Sequence, residues 1–183
     1  MKNFTDGTNQ QLNVFDKQEE KEFKTNIINI AAEKGFYDFE FKDVKLSIEL
    51  SLSQLESKAT DLINGIIKEG SVAMLTDKDK KLLSLFFAIQ KNRVTAHRTM
   101  ISELNKIVED HIIKMGYDPS KVKGFNKMDE KDVKELSIKM TIDAEKQAPY
   151  FYNKAWILFQ TKENMPFLIS DNPIVMQNNN NFK

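Results

Sequence analysis

The sequence contains no cysteine. That absence excludes disulfides, thiolate nucleophiles, zinc–thiolate sites and iron–sulfur clusters in one step. It also fits a reducing compartment, so a cytoplasmic location is expected. Only two histidines occur, His97 and His111, too few for a histidine-rich metal site. Long apolar runs are missing as well. A stretch such as Leu82 to Ile89 is short and interrupted by Ser84, against the roughly 20 residues a membrane helix needs. The opening MKNFTDGTNQQ has no apolar signal core. No glycine-rich phosphate loop and no G-x-S-x-G elbow is present. Neither sign of charge dominates: 27 Lys plus Arg balance 27 Asp plus Glu. Domains that grip duplex nucleic acid usually carry a basic excess, because neutralising phosphates and releasing counterions drives that binding. The expectation is a soluble chain with no membrane partner, no strong nucleic-acid signature, and no haem or flavin. A homodimer stays open, given the neutral charge and the Met-rich stripes.

What is present is the composition of an ordinary folded protein. Of 183 residues, 40% are hydrophobic and 30% charged, and 13 Phe and 8 Met supply core bulk. Residues 1–183 are expected to form a single domain, with residues 177–183 (QNNNNFK) as a disordered tail. Asp6-Gly7-Thr8-Asn9 is a turn signal, and Leu12 to Phe15 alternates like a strand or hairpin arm. Ile27, Ile30 and Ala31 suggest a short helical turn ending before Gly35. FYDFEF, with Tyr37, Phe39 and Phe41 on alternate positions, reads as a strand. From about Leu46 to Glu69 an apolar stripe through Leu52, Leu55, Ala59, Leu62 and Ile66 predicts a helix ended by Gly70.

Thr76 with Asp77 and Asp79 predicts the start of another helix. Its stripe runs through Leu83, Phe86, Gln90, Val94, His97, Ile101, Leu104, Val108, His111 and Met115, ending before Gly116. This predicts one helix of roughly thirty residues or more, the spine of the domain. Asp129 opens a third helix carrying Val133, Leu136, Met140 and Ala144, stopped by Pro149. Finally, Ala155–Phe159 and Phe167–Ile169 around Lys162-Glu163-Asn164 predict a β-hairpin. The fold class is therefore α+β, mainly α: long antiparallel helices with a small β-sheet formed from the N- and C-terminal segments.

Polar residues in costly places are the functional candidates. Gln90, Arg93 and His97 lie on or beside the spine's apolar stripe. A buried guanidinium needs an acid. Glu49 and Glu56, seven apart on the preceding helix, are the candidates by pattern. Three readings stay open: a structural ion pair fixing helix register, an active-site cluster, or surface exposure. Ser170-Asp171-Asn172-Pro173 follows an apolar strand, so Asp171 can cap a turn or act as a metal ligand or base. Arg93-x-x-x-His97 loosely resembles the Arg and His of HEPN-type ribonucleases, whose spacing is usually longer; a satisfied core histidine is the competing reading. Phe39 and Phe41 beside Lys42 and Lys45 could stack bases, or simply pack a core.

Several motifs occur in a familiar order: MKNFTDGTNQQLNVFDK, KGFYD, SIELSLSQLE, FFAIQKNR and AWILFQTKENMPFLISDNPIV. Together they resemble the domain-of-unknown-function family 4238 across essentially the whole chain. Members typically open with a His-Tyr-x-x-Pro stretch ahead of the Asn-Phe and continue past Ser-Asp-Asn-Pro. The chain therefore resembles a truncated or split member, a fragment of a longer family domain. Glu49, Glu56, Gln90, Arg93, Trp156, Ser170, Asp171, Asn172 and Pro173 match recurrent motif positions. Such a kit suits metal-dependent phosphoester hydrolysis of a nuclease-like kind. Asp171 with Glu49 or Glu56 would be the catalytic carboxylates and Arg93 the phosphate clamp. Asp171 and Glu49 would hold Mg²⁺ or Mn²⁺, and Gln90, Ser170 and Asn172 would bind substrate. The alternative is a non-catalytic interaction domain with a structural Arg–Glu cluster.

Overall fold

A computed structural model describes residues 11–17, 19–29, 38–41, 44–47, 49–162, 165 and 167–176. The chain divides into two compact units, residues 1–36 and 37–183. The first holds an antiparallel hairpin of β1 (Gln11–Asp16) and β2 (Lys21–Asn26). Its register sets Leu12 against Thr25 and Val14 against Phe23. Alternation places Leu12, Val14 and Asp16 on the more covered face. KQEEKEFK, residues 17–24, reads as a solvated charge run in the sequence, yet its second half opens the second strand. Ile27–Asn29 form a 3-10 turn, and the rest of the expected helical turn lies outside the described residues, as do Asp6–Asn9, Tyr37 and 177–183.

The second unit opens with another antiparallel hairpin, β3 (Asp38–Phe41) and β4 (Val44–Ser47). Five helices follow: α1 (Glu49–Glu69), α2 (Asp77–Asn92), α3 (Thr95–Lys114), α4 (Glu130–Ile142) and α5 (Ala148–Tyr152). The class is α+β, mainly α. Helix ends follow local chemistry. Thr76 and Asp79 close a capping box at the start of α2, and Asp129 and Asp132 do the same for α4. Gly70 and Gly116, with φ of +61° and +81°, terminate α1 and α3 in a conformation that favours glycine.

Helix α2 is the hub, touching α1, α4 and α5, while α3 packs on α4. Leu52, Ala88, Ile89 and Ala144 form the buried cluster, with Leu55, Leu85 and Phe151 against it. Pro149 does not merely stop a helix. It sits in the first turn of α5, where a missing N–H is harmless.

Two expectations are corrected. The long spine is two helices. Arg93 caps α2, and Val94 takes an extended conformation at ψ 147° before α3 begins. The fully buried Asn92 donates from Nδ2 to the Met140 carbonyl at 2.9 Å, pinning the end of α2 to α4. Val94 and Thr95 are β-branched, which eases the extended step. Spacing alone does not reveal a one-residue break.

Among the described residues the sheets are two separate hairpins, β1–β2 and β3–β4, and the C-terminal segment adds no strand to them. Residues 155–162 and 167–170 form no strand among the described residues. Met165 N donates to Lys162 O at 2.9 Å. Trp156 accounts for the difference. Its Nε1 donates to Phe151 O at 3.1 Å and its ring lies 5.6 Å from that of Phe87, so the segment is held on α2 and α5.

Replacing Asn92 with Ala removes the Met140 bond and leaves a small hole. The expected loss is about 1–3 kcal/mol of unfolding free energy. A urea titration reads it, with the exposed Asn153→Ala as a neutral control.

Candidate functional site

The end of α2 gathers three of the candidate residues, Glu56, Gln90 and Arg93. Glu49 opens α1 and is exposed. Glu56, two turns later, is half-buried and forms an ion pair through Oε1 with Arg93 Nη1. The Arg93 side chain is 19% exposed and that of Glu56 is 42% exposed, so the pair sits at the rim of the core rather than inside it. Gln90 precedes Arg93 by one turn and is half-buried. Among the described residues, Gln90 Oε1, Asn92 Oδ1, Ser84 Oγ and His97 Nε2 are enclosed without a hydrogen-bond partner. The end of α2 is polar inside, and Asn92 there and Ser84 two turns back along the helix are the parts that sequence pattern missed. Their place on the stripe's edge, at positions where apolar residues belong, is the only signal they give.

The Ser170–Asn172 turn closes on itself. Ser170 Oγ donates to the Asn172 carbonyl at 2.8 Å and accepts from Asn172 N at 3.2 Å. Serine, not aspartate, caps this turn. Asp171 is exposed and, among the described residues, makes no hydrogen bond or ion pair. Asn172 Oδ1 is enclosed without a partner there. No group of three or more His, Asp or Glu side chains among the described residues is placed to hold a metal ion.

His97 is buried at 6% exposure, while His111 on the same helix is exposed. Burial holds the His97 imidazole below its ordinary value of 6.5, and the Lys91 ammonium adds to the shift. The side chains of Phe39, Phe41 and Lys45, and all of Lys42, lie outside the described residues.

A second polar group appears at the start of α2. Asp77 accepts from the Tyr152 hydroxyl and pairs with Lys81 Nζ at 2.7 Å. Lys81 also lies 5.6 Å from the Tyr152 ring centre. The Lys81 bond, then the Tyr152 bond, hold the Asp77 carboxyl below its usual range. The same aspartate pushes the Lys81 and Tyr152 values up. Only the four-residue spacing of Asp77 and Lys81 signals this group in sequence. It ties α5 to the exposed first turn of α2.

The buried His97 makes stability depend on pH. The folded imidazole protonates at lower pH than the unfolded one, so the unfolded chain binds more protons once pH falls below 6.5. Its contribution is constant above that value, and stability declines as pH falls from 6.5 toward the lowered folded value. Urea midpoints measured between about pH 7.5 and 5 should show this slope, and His97→Gln should flatten it. An unchanged slope in the variant would assign the effect to other groups.

Among the described residues, no helix is long and apolar enough to cross a membrane. No curated protein and no solved structure matches the chain. One family model does match, over residues 1–183, and its description is "Protein of unknown function (DUF4238)"; the chain belongs to that family.

Proposed function

We propose that this chain is a non-catalytic protein-interaction domain in which Glu56 and Arg93 are architecture. One observation carries the reading: the guanidinium that a phosphate clamp would require is already engaged by Glu56 at the α2–α3 junction. The remaining members of the hydrolase kit give it little support. Asp171 stands exposed in a turn built by Ser170 and Asn172. The described His, Asp and Glu side chains offer no three-ligand cluster for Mg²⁺ or Mn²⁺. A short-range Arg–Glu pair joining α1 to the end of α2 has a sufficient structural purpose: it fixes where α2 ends and holds α1 against it. A cytoplasmic location belongs to the same reading and rests on the absence of cysteine.

The test compares stability with ligand response. Arg93→Met removes the cation but keeps the aliphatic stem. It should cost about 1–3 kcal/mol, less than the roughly 3–5 of a fully buried pair, because Glu56 keeps part of its hydration. In a Glu56→Gln background the same change should cost about 1 kcal/mol less, the coupling expected of residues in contact. Melting temperature should not respond to millimolar-range Mn²⁺ or Mg²⁺. A metal-induced rise that Asp171→Asn abolishes would overturn this reading in favour of metal-dependent phosphoester hydrolysis.

A further inference from the structure

The apolar face of α3 that lacks a partner among the described residues points to a second copy of this chain. Helix α3 buries only His97, Ile101 and Ile112. Met100, Leu104, Ile107, Val108 and Met115 are 45, 53, 61, 47 and 53% exposed. These five recur at helical spacing and form one stripe about 22 Å long at ~1.5 Å per residue. Single exposed apolar residues are ordinary, whereas a continuous stripe marks an interaction surface.

The adjacent face is taken. Asn105 Nδ2 donates to Asn126 O at 2.9 Å, Asn105 Oδ1 accepts from Met128 N at 3.0 Å, and Lys127 pairs with Glu109 at 2.9 Å. These contacts fasten the α3–α4 loop along one side of α3 and leave the stripe open. Where that loop passes the C-terminal half of α3, it encloses a groove of about 660 Å³ whose walls include Val108, Ile112, Met115, Val122 and Phe125.

Charge selects the occupant. Glu103, Asp110 and Lys114 are exposed beside the other edge of the stripe, with Glu103 and Lys114, opposite in sign, toward its two ends. We infer that two copies pair antiparallel through α3 about a two-fold axis at Val108. The operation sets Met100 against the partner's Met115, Leu104 against the partner's His111, and Ile107 against the partner's Val108. It also sets Glu103 against the partner's Lys114. Every pair is level to within about one helical residue, ~1.5 Å. An isologous contact makes each pair twice. A parallel pairing in register would instead bring each charge level with its own copy, which is repulsive. The Met100 end of one helix then lies over the groove of the other. Methionine suits that role, since it fills irregular apolar space.

This inference rests on the interaction reading and names its partner. The test uses the full chain in sedimentation equilibrium from roughly 1 to 100 μM. The wild type should form a dimer. Ile107→Glu, at a position facing solvent in the single chain, should return a folded monomer. Glu103→Lys and Lys114→Glu should each weaken self-association on the order of tenfold or more, because each sets like charges together twice. An equimolar mixture of those two variants should recover a heterodimer near wild-type affinity, since every cross-pair is again opposite in sign. Charge effects confined to one helix cannot produce that recovery. A monomeric wild type, single variants that dimerise like wild type, or a mixture no tighter than its components would each overturn the self-pairing. Those outcomes leave the interaction reading intact, whose own failure shows as the metal response abolished by Asp171→Asn.

Discussion

The second unit depends on how α2 ends. Two side chains at consecutive positions do this in opposite directions. Asn92 turns inward to the Met140 carbonyl, and Arg93 reaches to Glu56. One bond fixes α4 and the other fixes α1, so three helices meet at a single turn. The backbone then steps through Val94 and starts α3. An uninterrupted helix would keep Asn92 and Arg93 on a 100° spiral with fixed neighbours. Breaking it frees the chain to place α3 against α4 rather than continue past it.

A consequence follows from lengths. At ~1.5 Å per residue, α3 with 20 residues spans about 30 Å, and α4 with 13 spans about 20 Å. The longer helix outruns its partner. Ile101 and Ile112 are buried, but Leu104, Ile107 and Met115 are not. Asn105 and Glu109 recruit the 118–128 loop to one side only. The open stripe is thus a product of helix length and loop attachment, not of local composition.

Much of the helical body was legible because its signals are short-range. Thr76 with Asp79, Asp129, Gly70 and Gly116 act through bonds or dihedral angles within a few residues, and each marks a helix end where expected. The Arg93–Glu56 pair was legible as one of three alternatives, because a guanidinium beside an apolar stripe needs an acid within one helix diameter. What sequence could not show involves long-range contact. The Asn92–Met140 bond spans 48 residues, and nothing near Asn92 signals a break. Trp156 reads as strand by its neighbours Ile157, Leu158 and Phe159, yet Phe87 and Phe151 capture it. The stripe Leu104, Val108 and Met115 reads as core because periodicity reports amphipathicity, not which apolar face is covered. Asp171 kept two readings because its neighbours decide: Ser170, not Asp171, closes the turn.

Costly polar groups therefore sort by what they hold. Asn92 and Arg93 have partners on other elements, and removing either breaks a link between helices. His97 Nε2 and Gln90 Oε1, close to the junction in the chain, and Ser84 Oγ, two turns back along α2, have no such partner among the described residues. Filling these positions with apolar residues would remove desolvation penalties. It would also extend the α2 stripe unbroken toward α3 and favour the continuous helix that periodicity alone predicts. A polar junction disfavors that alternative by making a dry, straight packing of the region unfavourable. On this argument, the enclosed polar atoms contribute less to the stability of the fold than to its uniqueness, and the Arg93–Glu56 pair supplies the positive half of the same specification.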